Sequence, residues 1–528
     1  MFDVAQDISL AFQVHAKADK YPDLPVFTFE NHGQPDEILT YGKLVMQGNY
    51  LAGFLKSAGI GPGDTFAVVM GNQPEVIVAL YAALATGAVL LPLDPRSDWE
   101  KLVYLLRQCR AKGIVFSVDS AEAIEKVLSV LPEIRILGIK NADGAELFCD
   151  GETSSFVPGK REVGRHAMIL HTSGTTGIPK GIRVRKRSLY RYLFMAEHLF
   201  QYKPDERLYT GLPMTHGNAF FLTIMPALFF GIPAVISRKF DPKRVWEICR
   251  TYRCTMFSLL GGLSADIYNV PERPDDAVNP VRKVISAGTP RHIWKDFQRR
   301  FNVAIHEWYG TLEGAVAHNP PGVGPVGSFG KPVQPFVEMK VIGENGSECS
   351  AGETGELLFR FQDGTSRVEY LEDTLASNET EQDGWIRTGD MVHQDQQGWL
   401  FFDYRKGQEL RHHGEFIAAD DVETVLLAHP EVRDACVYGI DTDSQAPGEQ
   451  DLVAAIVPAG KGTPDINGIF VMCAHRLPAA AVPSYIQLIE FLPRTPTEKV
   501  IRRLIKERFE ADSPYVYRFN DQRTRSSV

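Results

Sequence analysis

The sequence predicts an α/β protein with a large N-terminal domain of parallel sheets flanked by helices, a β-rich subdomain, and a smaller α/β C-terminal domain. Three observations predict it. Helix and strand patterns alternate from residue 44 onward, short strand patterns separated by turns follow near residue 340, and another α/β pattern closes the chain. At 528 residues the chain is also too long for one hydrophobic core, so we expect two or more domains.

The alternating part begins with a helix predicted over residues 44–58, because a cluster of glycine and proline follows it at 59–64. Strands are predicted over residues 65–70, 88–93 and 113–116, and helices over 75–86 and 99–108. Such alternation predicts parallel strands, since each crossover places a helix on a face of the sheet.

Residues 219–236 form an uncharged run whose length is close to the roughly 18 residues that suggest a transmembrane helix. Pro226, Gly231 and Pro233 interrupt the run. We therefore predict a buried helix followed by a buried strand at 234–237, and no integral membrane segment.

Short strand patterns dominate after about residue 330. Residues 336–342 alternate apolar and polar side chains, as a half-buried strand does. Two further strand patterns follow at 355–360 and 398–403. Together they predict a β-rich subdomain over about 330–404.

The predicted domain boundary lies after this subdomain. The N-terminal domain covers residues 1–404, and the C-terminal domain covers 405–528, with its own α/β pattern between 418 and 506. The last residues, 519–528, are polar, and we expect them to be frayed.

Composition and charge exclude several classes of function. The chain is 44% hydrophobic and 23% charged, as is typical of a soluble globular protein. Its net charge of −10 argues against a broad nucleic-acid-binding surface but allows a local basic patch for a phosphorylated ligand. Seven scattered cysteines without a Cys-x-x-Cys pair predict reduced thiols rather than a zinc site. Since no signal-peptide pattern is present either, we expect a cytoplasmic protein.

The most informative motif is a loop rich in glycine and hydroxyl residues that follows the apolar strand pattern at 167–170. Its glycines let successive N–H groups point at one anion, its hydroxyls add donors, and its lysine adds positive charge. Because another strand pattern follows at 182–184, we favour binding of a nucleotide triphosphate over a flexible linker. The spacing differs from the usual Gly-x-x-x-x-Gly-Lys loop. The candidate phosphate contacts are Thr172, Ser173, Gly174, Thr175, Thr176, Gly177 and Lys180.

Residues 172–181 resemble, without a gap, the phosphate loop of the adenylate-forming superfamily. That superfamily holds acyl-CoA synthetases, nonribosomal peptide adenylation domains and beetle luciferases. Six further segments resemble its other motifs in the required order, so the resemblance covers most of the chain. It implies that the protein uses ATP, Mg²⁺ and coenzyme A, and that the small C-terminal α/β domain is mobile.

Two central segments carry the implied adenine and metal contacts. Residues 307–314 resemble a Tyr-Gly-x-Thr-Glu motif, in which Tyr309 would stack on adenine and Glu313 would help to hold Mg²⁺. Residues 286–290 resemble the segment whose backbone packs on adenine. Leu312 stands where the family has a threonine that contacts the α-phosphate. The implied nucleotide contacts here are Gly288, Thr289, Tyr309, Gly310 and Thr311, and Thr176 is implied as a second metal contact.

The ribose contacts are implied further along the chain. Asp390 lies in a segment that resembles the family's Thr-Gly-Asp motif and would accept hydrogen bonds from both ribose hydroxyls. Arg405 would be the second ribose contact, with Tyr404 in place of the usual aspartate. Gly407 occupies the position of the family hinge and is also compatible with a plain turn.

The C-terminal segments carry the remaining implied chemistry. Gly414 matches the loop that lines the pantetheine tunnel, and Arg411 and His413 are candidate coenzyme A contacts, unless that loop is simply solvated. Lys499 matches the catalytic lysine whose ammonium bridges the substrate carboxylate and the α-phosphate. Glu498 replaces the usual glycine before it.

The acid-binding pocket is implied by several positions. His216 lies in a segment that resembles the motif bordering the acyl pocket, and as a candidate carboxylate neighbour it joins Glu313 and Lys499 as a candidate catalytic residue. The implied pocket residues are His216, Asn218, Gly261, Trp308 and Gly314. Their mixture suggests a compact acid with some polarity rather than a long fatty chain, and resembles the crotonobetaine/carnitine–CoA ligase-like branch.

The resemblance therefore implies an AMP-forming acid–CoA ligase that converts a small or medium carboxylic acid into acyl-AMP, releases pyrophosphate, and transfers the acyl group to coenzyme A. Two alternatives stay open. A stand-alone adenylation enzyme would load a carrier protein, and a non-catalytic nucleotide-binding regulatory protein would explain Leu312 and Glu498. The acid and the oligomeric state are not set by the sequence.

Overall fold

The computed structural model describes residues 8–140, 146–147, 156–171, 181–343, 345–362, 369–371, 381–406, 410–412, 415–417, 419–441, 450–494 and 500–519. Within these ranges the chain forms four β-sheets of 14, seven, four and two strands. The two large sheets belong to the N-terminal part, and the two small ones follow residue 409.

The largest sheet joins a parallel half to an antiparallel half. In spatial order its strands are Val337–Ile342, Gly355–Phe361, Trp385–Gln394, Leu400–Arg405, Ser328–Pro332, Val316–Asn319, Ala304–Gly310, Lys283–Ala287, Met256–Leu260, Leu208–Thr210, Ala234–Ser237, Pro25–Asn31 and Gln34–Thr40, with Glu381–Gln382 paired to Trp385–Gln394. The strands from Ala304–Gly310 to Pro25–Asn31 are parallel. The antiparallel half confirms a β-rich subdomain.

The second sheet is parallel except at its two edges, as predicted for the alternating part of the chain. In spatial order its strands are Glu146–Leu147, Arg135–Lys140, Ala111–Ser117, Thr65–Val69, Val89–Leu93, His166–His171 and Gly181–Arg185.

The α-helices of the N-terminal part are Leu10–Lys20, Tyr41–Ser57, Pro74–Thr86, Trp99–Gln108, Ala121–Val130, Lys186–His198, Gly217–Ala219, Met225–Phe230, Val245–Tyr252, Gly261–Tyr268 and Trp294–Phe301, with a 3₁₀ turn at Val118–Ser120. All residues of Pro74–Thr86 are buried, and the main core cluster joins this helix to side chains of both large sheets. Apart from Glu75, which pairs with Lys140 over 2.6 Å, the helix carries no charged residue and has no polar face for solvent, so its sequence favours this central position.

The uncharged run at 219–236 has the predicted form. A π-helical turn at Phe220–Ile224 continues into Met225–Phe230, Gly231 ends that helix with a φ of +77°, and the strand Ala234–Ser237 follows. Among the described residues, no helix is both long enough and apolar enough to cross a membrane.

The C-terminal part has its own core. Its sheet contains the strands Val432–Asp441, Gln450–Pro458, Tyr485–Leu488 and Val516–Arg518, and the two-stranded sheet contains Leu410–His412 and Glu415–Ile417. The helices are Ala419–Leu427, Ile466–Arg476 and Arg502–Lys506, with a 3₁₀ turn at Ala479–Ala481. The helices Ala419–Leu427 and Ile466–Arg476 share one buried cluster with the sheet. This confirms the predicted α/β unit.

Candidate functional site

Predicted site residues gather at the carboxyl ends of the parallel strands. One strand ends directly before Gly261, another ends directly before Gly288, and Tyr309 and Gly310 end a third. In open α/β sheets, ligands bind in the crevice outside these strand ends. The fold therefore places the candidate site at this edge of the large sheet.

Tyr309, Asp390 and Arg405 form one hydrogen-bonded cluster. The Tyr309 hydroxyl donates to Asp390 Oδ2, and Arg405 Nη1 donates to Asp390 Oδ1 over 2.9 Å. Asp390 and Arg405 face each other as direct partners on neighbouring antiparallel strands, and Asp390 is only 4% exposed. Because each carboxylate oxygen has two lone pairs, Asp390 retains capacity for hydroxyl groups of a ligand.

The Tyr309 phenol is fixed at both ends. Its ring packs against Phe329 with 4.7 Å between ring centroids. Burial, reinforced by the charge of Asp390, raises the pKa of the Tyr309 hydroxyl well above its usual range. At neutral pH Tyr309 is therefore a neutral donor with an immobilised aromatic face, which suits stacking on a flat base.

Glu307 supports the predicted adenine segment, a role that the sequence analysis missed. Its carboxylate is 2% exposed and accepts hydrogen bonds from the backbone N–H groups of Gly288 and Thr289 and from the Thr289 hydroxyl over 2.6 Å. Burial outweighs these bonds and raises the pKa of Glu307 to about 7. The available signal was an acidic residue within an apolar strand pattern, which stays buried only with partners.

Glu313 is half-buried in the turn that follows the same strand. Its Oε1 accepts a hydrogen bond of 2.8 Å from the Tyr370 hydroxyl. Tyr370 also forms an isolated antiparallel bridge with Ile182, directly after the glycine-rich loop in sequence. No pattern in the sequence singled out Tyr370.

The Glu313 carboxylate is a suitable oxygen ligand for a magnesium ion that binds together with a nucleotide. Among the described residues, no group of three or more His, Cys, Asp or Glu side chains is arranged to hold a metal. Mg²⁺ with a nucleotide needs only one or two carboxylates, because phosphate oxygens and water complete its shell. A single half-buried carboxylate is therefore the appropriate oxygen donor.

His216 caps the short helix that begins at Gly217. Its Nδ1 accepts a hydrogen bond from the Asn218 N–H over 3.1 Å. In a neutral ring this bond places the proton on Nε2. The cap therefore fixes the orientation of the ring at the border of the predicted acyl pocket.

The Leu312 side chain lies next to Gly217, at the start of this short helix. A Cβ added at Gly217 would lie 3.2 Å from Leu312 Cδ2, so the leucine presents an apolar side chain where the family has a hydroxyl. The Thr311 hydroxyl accepts a hydrogen bond from the Ala315 N–H over 3.3 Å and stabilises the turn.

Two buried polar atoms of the predicted acyl pocket, Asn218 Oδ1 and Trp308 Nε1, have no hydrogen-bond partner among the described residues. The two residues are 4% and 8% exposed. Asn218 Nδ2 faces the Leu259 carbonyl over 3.5 Å, which orients the amide, and the Trp308 ring covers Gly310. Buried polar atoms are normally paired; the Asn218 oxygen has the capacity to accept a further hydrogen bond, and the Trp308 N–H has the capacity to donate one.

Two predicted pocket glycines are required by close packing. A Cβ added at Gly261 would lie 1.8 Å from the Gly288 carbonyl oxygen, and one at Gly314 would lie 2.3 Å from the Phe361 ring. Gly314 also has a φ of +113°, which disfavours other residues. At Gly261 the missing side chain thus makes room for the predicted adenine segment, and its acyl-pocket role stays a prediction.

Several predicted residues lie outside the described part of the chain, and their roles stay predictions. They are Thr172, Ser173, Gly174, Thr175, Thr176, Gly177, Lys180, Gly407, His413, Gly414 and Lys499. Arg411 is described only as a backbone position in the strand Leu410–His412.

Comparison with known proteins finds CoA ligases that are similar over most of the chain. Sulfoacetate–CoA ligase of Cupriavidus necator is 26% identical over 502 residues, covering 94% of this chain and 96% of that protein. Crotonobetaine/carnitine–CoA ligase of Salmonella enteritidis is 25% identical over 512 residues, covering 93% and 97%.

Solved structures share the fold. An anthranilate CoA ligase in complex with anthranoyl-AMP superimposes with a TM-score of 0.83 at 20% identity, covering 96% of this chain and 98% of that one. The o-succinylbenzoate CoA synthetase of Bacillus subtilis, in complex with its acyl-adenylate intermediate, gives a TM-score of 0.79 at 20% identity, covering 94% and 98%.

Family models match both parts of the chain. Residues 14–367 match the AMP-binding enzyme model, and residues 421–499 match the model of the AMP-binding enzyme C-terminal domain. The first match alone covers more than half of the 528 residues. The chain therefore belongs to the AMP-binding enzyme family.

Proposed function

We propose that the protein is an ATP-dependent acid–CoA ligase. It activates a small or medium carboxylic acid as acyl-AMP with release of pyrophosphate, and then transfers the acyl group to coenzyme A. The observation that carries the proposal is the buried Asp390 carboxylate, held by Tyr309 and Arg405 at the ligand-binding edge of the sheet. The relatives named as CoA ligases support this function over the loading of a carrier protein.

The nucleoside contacts follow from that cluster. The fixed Tyr309 ring stacks on adenine, and Asp390 accepts hydrogen bonds from the ribose hydroxyls while Arg405 holds its carboxylate in orientation. The backbone of Gly288 and Thr289 packs against the adenine base. Glu307 holds this backbone in place by accepting hydrogen bonds from both N–H groups. These contacts position the α-phosphate.

Mg²⁺, when bound, neutralises charge on the triphosphate. We propose that Glu313 and Thr176 hold it. Glu313 contributes a carboxylate oxygen, and the residues at 172–180 hold the β- and γ-phosphates, the part that leaves.

The chemistry has two steps. In the first, a carboxylate oxygen of the acid attacks the α-phosphorus, the bond to the bridging oxygen breaks, and pyrophosphate leaves, with Lys499 stabilising the moving negative charge. In the second, the thiol of coenzyme A gives its proton to solvent, its sulfur attacks the acyl carbonyl carbon, and the bond from that carbon to the phosphate oxygen breaks as AMP leaves. His216 borders the acid during both steps.

We propose that the C-terminal domain, residues 405–528, turns about Gly407 between these steps relative to residues 1–404. The turn withdraws Lys499 and brings Gly414 to the site, with Arg411 and His413 near the coenzyme A phosphates. A cytoplasmic location is part of the proposal, because the cysteines are scattered and the described ones are free thiols.

The acid is proposed to be compact and to carry a hydrogen-bonding group. Asn218 Oδ1 and Trp308 Nε1 support this, because each is buried and lacks a partner among the described residues. The relatives named for sulfoacetate and for crotonobetaine or carnitine are named for small polar acids.

Acid-dependent exchange between ATP and labelled pyrophosphate tests the proposal. A panel should compare small polar acids, small apolar acids and fatty acids, and we expect exchange to be fastest with a small polar acid. AMP release upon addition of coenzyme A should then follow for the same acid.

Each alternative has its own outcome. Exchange with the acid but no thioester with coenzyme A would favour loading of a carrier protein. Nucleotide binding without exchange for any acid of the panel would favour a regulatory protein and overturn the enzymatic function.

A further inference from the structure

A three-residue segment, Glu369 to Leu371, connects Glu313 to the strand Gly181–Arg185. The Tyr370 hydroxyl donates to Glu313 Oε1 over 2.8 Å, although 57 residues separate the two in sequence. The hydroxyl therefore fixes the position of one carboxylate oxygen of the proposed metal ligand.

Backbone hydrogen bonds hold this segment against the strand. The Arg183 N–H donates to the Glu369 carbonyl over 3.0 Å, and the Leu371 N–H donates to the Gly181 carbonyl over 2.9 Å. Leu371 is 7% exposed, and a Cβ added at Gly181 would lie 2.4 Å from Leu371 Cδ1. A side chain at 181 would therefore have to displace the Leu371 side chain.

The Glu369 side chain adds ionic contacts to the same strand pair. Its carboxylate accepts hydrogen bonds from Arg185 Nε over 3.1 Å and contacts His166 Nε2 over 2.5 Å. Burial opposes ionisation, but the bonds from Arg185 and His166 prevail and lower the pKa of Glu369. The segment is thus fixed on both sides of Tyr370.

We propose that Tyr370 is a positioning residue that orients Glu313 for the nucleotide-bound magnesium ion. The proposal rests on the proposed function, in which Glu313 holds that ion. A glutamate side chain in a turn has several rotamers, and a hydrogen bond from a fixed phenol selects one of them. Since the phenol is anchored to the strand that follows the glycine-rich loop, the metal ligand and the start of that strand are held by one local assembly.

The test is Tyr370→Phe, which removes only the hydroxyl. The matched control is Tyr252→Phe, because the Tyr252 hydroxyl also donates to a carboxylate, that of Asp36, over 2.8 Å at a remote edge of the sheet. Calorimetric titration should measure ATP affinity at increasing Mg²⁺ in the absence of acid, when no reaction occurs. Removal of a hydrogen bond that orients a metal ligand typically lowers metal affinity about 10- to 100-fold. We therefore expect the Mg²⁺ requirement, which is the Mg²⁺ concentration that gives half of the gain in ATP affinity, to be about 10-fold higher in Tyr370→Phe.

The specific signature is a change in the Mg²⁺ requirement alone. In Tyr370→Phe, affinity for ATP without Mg²⁺ and the melting temperature without ligand should stay within the range of Tyr252→Phe. An unchanged Mg²⁺ requirement, or an equal loss of Mg²⁺-free ATP affinity, overturns the positioning role.

Glu313→Gln separates the two proposals. If this variant leaves the Mg²⁺ requirement unchanged, the metal role of Glu313 fails and the role of Tyr370 falls with it. If Glu313→Gln raises the Mg²⁺ requirement, and adding Tyr370→Phe to it causes no further rise, the two residues act as one unit. Glu369→Gln weakens the anchor without touching Glu313 and should shift the requirement in the same direction by a smaller factor.

Discussion

At the scale of single residues, burial of Glu307 makes the stability of the protein depend on pH. An unfolded glutamate titrates near 4.5, whereas in the folded protein burial raises the pKa of Glu307 to about 7. Below pH 4.5 Glu307 is protonated in both the folded and the unfolded protein, and no free energy of unfolding is lost to its ionisation. As pH rises from 4.5 through 7, the unfolded state ionises first, so free energy of unfolding is lost.

Glu307→Gln should remove this pH dependence. The amide keeps an oxygen that accepts from Gly288 and Thr289 but carries no charge. We expect the free energy of unfolding of the variant, relative to the natural protein, to rise by roughly 2–3 kcal/mol between pH 5 and pH 8. Urea unfolding at both pH values measures it, with the exposed Glu133→Gln as control. Parallel pH curves for Glu307→Gln and the natural protein would contradict the assignment.

At the scale of elements, the site depends on how closely the helix Gly261–Tyr268 approaches the segment after the strand Lys283–Ala287. The first residue of the helix touches the Gly288 carbonyl, and Glu307 holds Gly288 from the other side. The segment therefore lies between a helix end and a buried carboxylate, and neither contact permits much movement.

Gly261→Ala should displace the predicted adenine segment. The added Cβ would lie 1.8 Å from backbone oxygen, which cannot move aside as a side chain does. Overpacking of this kind typically costs about 1–3 kcal/mol. We expect a lower unfolding free energy and at least about a 10-fold loss of ATP affinity, measured by urea unfolding and calorimetry. Gly460→Ala, where nothing lies within 4 Å of the added atom, is the control; equal effects in both variants would refute the packing argument.

Elements with strong local signals were predictable. The helix Trp99–Gln108 has its predicted bounds because Asp98 caps it, accepting from the Lys101 N–H over 2.7 Å. The helix Tyr41–Ser57 begins three residues before the prediction of 44–58 because Thr40 provides the cap. Capping residues therefore decided the boundaries where the apolar pattern alone was ambiguous.

The geometry of the candidate site was predictable where the sequence carries local motifs and unpredictable where contacting residues are distant in sequence. The contact between Tyr309 and Asp390 joins two motifs that the family resemblance had already named. Tyr370 belongs to no such motif, and its contact with Glu313 arises only because the segment folds across a strand of the other sheet. Hydrogen bonds between distant, irregular segments leave no period or spacing in the sequence.

At the scale of the whole molecule, the hydrophobic clusters separate at the proposed hinge. Among the described residues, four clusters lie within positions 10–400, and two lie within positions 410–516. No described cluster combines residues from both sides of Gly407. A unit with its own core can turn without exposing apolar surface, so this separation supports a C-terminal domain that moves between half-reactions.

Lys499→Ala should separate the two half-reactions. If Lys499 stabilises charge only while pyrophosphate leaves, its removal should lower the rate of acyl-AMP formation by about 100- to 1,000-fold, as for the loss of one preorganised charge-stabilising donor. Thioester formation from supplied acyl-AMP should change little, because the lysine is withdrawn in that step. Pyrophosphate exchange and single-turnover thioester formation measure the two rates, with the exposed Lys461→Ala as control. An equal loss in both steps would mean that Lys499 supports the fold or the hinge rather than the first reaction, since a group that acts in one domain position cannot slow both.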